Sequence, residues 1–81
     1  MKKLTSKQIN IAIGKIYSYD KILYGQIKDE LLKYRSIIAA LEEVNDEIVK
    51  AYLIQQKGMV ENDLLRKGIR EYYPNFPKME K

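Results

Sequence analysis

A chain of 81 residues, 46% hydrophobic and 32% charged, is one small domain with enough apolar matter for a core, too much for a disordered segment. It has no cysteine and no histidine, which excludes a disulfide framework, thiol nucleophiles and histidine-based acid–base or metal chemistry. The net charge of +4 is modest and unevenly sorted: residues 1–35 carry eight cations and three anions, 36–63 two cations and six anions, and 64–81 five cations and two anions.

Thr5 followed three residues later by Gln8 is a capping box, and Leu4 and Ile9 occupy the positions of a hydrophobic staple. The first helix is therefore expected over residues 6–18. Ile9, Ala12, Ile13, Ile16 and Tyr17 keep the i, i+3, i+4, i+7 rhythm of one buried stripe. Lys2, Lys3, Lys7 and Lys15 give this helix a basic face that suits an anionic membrane surface, but its apolar face is needed by the core.

Beyond it, Leu23, Ile27, Leu31, Tyr34, Ile38 and Leu41 continue in steps of three or four. Asp20 and Ser36 are both suitable N-caps, which divides the stretch into helices over 20–34 and 36–43. Gly14 and Gly25 each weaken a helix by roughly 1 kcal/mol relative to alanine and so point to close packing contacts or a bend.

Asp46 and Glu47 suit the first turn of a helix over 46–57, carrying Ile48, Ala51, Tyr52 and Leu53, with Gly58 as its stop. A last helix, 61–73, is expected to bury Leu64, Leu65, Ile69 and Tyr72 and to end before Pro74. In the tail, 74–81, Phe76 is expected to cover the bundle and the final residues to fray. The expected fold class is all-α, a compact bundle of four to five short helices in a single domain. No stretch approaches the roughly 18 apolar residues of a membrane span. The lack of cysteine and of a secretory signal fits the cytoplasm.

The acidic run at 42–47 is the first candidate site. On a continuous helix Glu42 and Asp46, and Glu43 and Glu47, are i, i+4 neighbours, so four carboxylates share one face and repel by a few tenths of a kcal/mol per pair. Calcium takes oxygen ligands of this kind, and Asn45 adds a carbonyl oxygen, although the spacing does not match an EF-hand loop. The plainer account is that these are helix-start residues, favoured by the helix dipole and answered by lysines or arginines across the bundle.

The second candidate is the run Gly58-Met59-Val60-Glu61-Asn62-Asp63-Leu64-Leu65-Arg66-Lys67-Gly68-Ile69-Arg70-Glu71-Tyr72-Tyr73. It resembles the second helix of ribbon-helix-helix regulators and is similar to the helix-turn-helix segment of winged-helix proteins. The resemblance implies DNA binding as a dimer. A ribbon-helix-helix protein also has an alternating strand before its first helix, and Ser36-Ile37-Ile38-Ala39-Ala40-Leu41 does not alternate. Arg66, Lys67 and Arg70 would be the phosphate contacts, with Glu61, Asp63 and Glu71 diluting their field.

Seven tyrosines interleaved with cations suit base stacking, but at helical spacing they fit half-buried core residues better. Tyr19 and Tyr24 are expected outside the stripe. Two functions follow as expectations. One is a non-enzymatic binding module, needing no cofactor, whose face at Glu42, Glu43, Asp46 and Glu47 takes calcium or a basic protein partner; self-association is expected separately, from the small core and from pairing of the positive 1–35 block with the negative 36–63 block between subunits. The other is a small DNA-binding regulator using Arg66, Lys67 and Arg70 as a dimer.

Overall fold

The capping box forms as expected: the Gln8 amide donates to Thr5 Oγ1 at 3.2 Å and the Thr5 amide to Gln8 Oε1 at 2.8 Å, satisfying donors that have no partner inside a helix. The computed structural model describes residues 4–78. Lys2, Lys3 and the end of the tail, 79–81, lie outside them. Three α-helices follow in order: α1 (Ser6–Tyr19), α2 (Lys21–Glu43) and α3 (Glu47–Arg66), then a single 3-10 turn at Ile69–Glu71. Among the described residues there is no strand.

Three helices thus stand where four to five were expected, and the reason is the same at both missing breaks. Ser36 does not cap a helix; it is an exposed residue inside α2. Tyr34, Ile37 and Ile38 are buried on either side of it, so a break would free backbone groups from their partners and pull part of the stripe off the core. Gly58 does not stop a helix either. α3 runs through it to Arg66, because two turns of continued helix bring Val60 and Leu64 into the core, which outweighs the roughly 1 kcal/mol penalty of an interior glycine.

The helix predicted to reach residue 73 ends at Arg66, well before Pro74. The left-handed turn that closes it is at Gly68, with φ of 97°, a conformation that glycine adopts without a Cβ clash. A Cβ added at Gly14, Gly25 or Gly58 would meet nothing within 4 Å, so none of the three marks a close contact.

Asp20 is the only residue between α1 and α2, and it serves both. Its amide donates to the Ile16 carbonyl at 2.8 Å, while its Oδ1 accepts from the Leu23 amide at 2.9 Å. Residues 44–46 link α2 to α3. Val44 is extended, and Asp46 Oδ1 accepts from the amides of Ile48 and Val49 at 2.8 and 3.2 Å.

α2 is the central element. α1 and α3 each pack along it and scarcely against each other. It contributes Leu23, Ile27, Leu31, Tyr34, Ile37 and Ile38 to the core, against Ile9, Ala12 and Ile16 from α1 and only Val60 and Leu64 from α3. The chain after α3 turns back over α2 and closes the remaining gap with Ile69, Tyr73 and Phe76. The expectation for Phe76 holds: it is fully buried, with its ring 5.8 Å from that of Tyr34. Arg70 anchors this segment by donating to the Phe76 carbonyl at 2.9 Å, and Lys15 of α1 lies over the Tyr73 ring at 5.4 Å. The radius of gyration of 12.5 Å is close to the roughly 12 Å expected for a compact chain of this length.

Candidate functional site

The four acidic residues do not share a continuous helix, because the backbone is extended at Val44. The i, i+4 pairs predicted for them are therefore absent. Glu42 and Glu43 end α2, Asp46 caps α3 and Glu47 opens it. Glu42 Oε1 accepts the Ser6 amide at 2.9 Å, tying the start of α1 to the end of α2. Asp46 is engaged with the first amides of α3. Among the described residues no three His, Cys, Asp or Glu side chains gather into a group that could hold a metal ion.

The ion pairs among the described residues are Lys57–Glu61, Arg66–Asp63 and Lys67–Glu30, and none of them reaches this corner. Glu43, Asp46 and Glu47 stand exposed where α2 turns into α3. The cations of the C-terminal run are distributed differently from a single basic helix face. Arg66 is in the last turn of α3 and pairs with Asp63. Lys67, the residue that ends the helix, pairs with Glu30 and also donates to the Gln26 carbonyl at 3.3 Å. Arg70 is in the 3-10 turn and is held by the tail. The strand that ribbon-helix-helix proteins need is likewise replaced: 36–41 is the interior of α2.

What the residue pattern did not announce is the outer side of α3. Ile48 is 83% exposed, Tyr52 60% and Met59 55%. A signal was present. The apolar residues of α3 fall on two faces, with Leu53, Val60 and Leu64 toward α2 and Ile48, Tyr52 and Met59 rotated away from it. A shallow depression lined by Met59, Asn62, Asp63, Leu65 and Arg66 continues this side toward the end of the helix.

The tyrosines divide. Tyr34 and Tyr73 are buried, and Tyr24 and Tyr72 pack against the core edge. Tyr19 is exposed as expected, whereas Tyr24, expected outside the stripe, is half-buried against the core, edge-on to Tyr17 with ring centroids 5.1 Å apart.

Two carboxyls are held below their ordinary value of 4.5, Glu30 foremost by its bond from Lys67 and Glu42 by hydrogen bonds from Ser6. A carboxyl with a depressed native pKa adds stability above its unfolded pKa and loses it as pH falls through the native value. Urea unfolding followed at a series of pH values is expected to give a level stability above about pH 6 and a decline that begins near 4.5. Glu30→Gln should flatten that decline. An unchanged acid limb in this variant would show that the Lys67 bond does not form in solution.

No protein-family model, curated protein or solved structure matches this chain. The fold and site nevertheless define a class: an all-helical chain whose central helix is covered on its flanks, with an acidic corner and an apolar helix side left open beside it.

Proposed function

We propose that the chain is a non-enzymatic binding module that docks a basic protein partner on the outer side of α3 and the adjoining acidic corner. The carrying observation is the exposure of Ile48, Tyr52 and Met59 together on one side of α3, opposite the side on which Val60 and Leu64 are buried and Leu53 packs against the core. Scattered exposed apolar residues are ordinary. Several gathered on one helix side, bordered by charge, are the mark of an interaction surface. Glu43, Asp46 and Glu47 border it at one end, which favours a partner helix with lysine or arginine beside an apolar stripe.

The test is an amide-resolved NMR titration at low protein concentration with three probes: a Leu/Lys amphipathic helical peptide, calcium chloride and a short mixed-sequence DNA duplex. Saturable shifts confined to 43–59 with the peptide are expected. The joint Ile48→Ser, Tyr52→Ser variant should lose them while changing unfolding free energy by no more than about 0.5 kcal/mol per site, the usual range for surface positions. Silence with the peptide overturns the docking face. Saturable calcium shifts at 42–47 would replace it with a cation site, and DNA shifts centred on 66–70 with a nucleic-acid contact.

A further inference from the structure

We propose that the occupant of this face is a second copy of the same chain, with the two α3 helices packed antiparallel about a two-fold axis near the middle of the helix. The proposal rests on the docking face argued above and supplies its partner. Ile48, Tyr52, Gln55, Met59, Asn62 and Arg66 are all exposed and recur in steps of four, three, four, three and four. That is the rhythm of the a and d positions of a coiled coil. Ile48 and Arg66 are 18 residues apart, about five helical turns, so the two ends of the stripe point the same way.

The charges along the stripe select the orientation. Its first end carries Asp46 and Glu47, with Glu43 beside them, and its far end carries Arg66 in the stripe itself, with Asp63 at its margin. Parallel helices would place carboxylates against carboxylates and arginine against arginine. Antiparallel helices place Arg66 of each copy beside Ile48 and Glu47 of the other, with the Arg66 stem over the isoleucine and its guanidinium at the carboxylate. Among the described residues of one copy Arg66 pairs with Asp63 alone, and the two side chains are 76% and 41% exposed. Exposed pairs of this kind contribute little, so Arg66 is free to exchange partners. An axis between Gln55 and Met59 sets each Tyr52 near Asn62 of the other copy and each Gln55 near Met59. The surface then complements itself, as a two-fold interface requires. One face of a helix about 30 Å long is smaller than the roughly 800 Å² per partner of a standard interface, and polar Gln55 and Asn62 trade affinity for register. Association should therefore be reversible with concentration.

Sedimentation equilibrium of the full chain over a wide concentration range tests this. The mass is expected to rise from the 9.6 kDa of one chain to that of two. Arg66→Glu and Glu47→Arg, each alone, should weaken association at least tenfold, with the helical circular dichroism unchanged. Mixing the two variants in equal amounts should restore association, because in an antiparallel pair both ends then match. A single-chain mass at every concentration overturns the proposal, as does a dimer indifferent to Arg66→Glu or a mixture no stronger than its components. If the chain stays single while the basic peptide still shifts 43–59, the docking face stands and only the second copy is wrong; if both fail, both readings fall.

Discussion

Phe76→Ala is expected to lower the unfolding free energy by about 3–5 kcal/mol, the range for deleting a buried aromatic ring. For a chain of this size the whole stability is on the order of 4–12 kcal/mol, so the variant should unfold with a much earlier denaturant midpoint or fail to fold at room temperature. Phe76 is fully buried although it lies in the segment that follows α3. Its ring fills the space over Tyr34, and its carbonyl receives Arg70. Loss of the ring should therefore release Tyr73 from beneath Lys15 as well. Phe76→Leu separates volume from anchoring and is expected to cost less than about 1.5 kcal/mol, as conservative apolar exchanges do. Equilibrium urea unfolding of the two variants decides the matter. A loss below about 1 kcal/mol for the alanine variant would mean that the tail is no part of the core.

Tyr34→Ala is the second large loss, again about 3–5 kcal/mol, and the more instructive comparison is with Tyr34→Phe. The Tyr34 ring is fully buried at the centre of α2, and its hydroxyl donates to Glu61 Oε2 at 2.6 Å. Lys57 approaches the same oxygen at 2.8 Å. Hydrogen bonds to charged groups are worth about 1.5–3 kcal/mol. Because Lys57 still serves Glu61 when the hydroxyl is gone, Tyr34→Phe is expected near the lower end of that range. Thermal or urea unfolding of both variants, with Glu61→Gln as a third, separates ring packing from the hydrogen bond. A phenylalanine variant as stable as the parent would show that the hydroxyl is satisfied as well by water.

The same contact fixes the alkaline behaviour. Burial, and then the bond to Glu61, push the Tyr34 hydroxyl far above its ordinary value of 10.0. A group raised in the native state gives its stability in full below the unfolded value and loses it as pH rises above that value. Stability should fall above about pH 10, and Tyr34 should ionise last in the phenolate absorbance, with unfolding.

How much of this was legible in the residues differs from one end of the chain to the other. The start of α1 was fully legible, because a capping box is a contact between residues three apart and requires nothing distant. The apolar rhythm of α2 was legible as helix, and so was the burial of Phe76, a large ring in an otherwise polar tail. The continuity of α2 and α3 was not. Ser36 and Gly58 carry the local preferences of a cap and a stop, yet each lies where continuing the helix keeps apolar side chains on the core. A preference worth about 1 kcal/mol gives way to the burial of even one such side chain.

The acidic site was legible as a cluster and illegible as geometry. The extended backbone at Val44 sends Glu42 to the start of α1 and Asp46 to the amides of its own helix. Composition, periodicity and local capping determined that the described residues are helical without strands, that α1 is capped at Thr5 and that the chain lacks histidine and thiol chemistry, because these depend on residue type and on neighbours within one turn. Which side of α3 meets α2, and hence that Ile48, Tyr52 and Met59 remain exposed, was decided only by the tertiary structure. α3 carries apolar residues on two faces, one central helix can cover only one of them, and that choice rests on contacts between residues far apart in the chain, such as Tyr34 with Glu61 and Glu30 with Lys67.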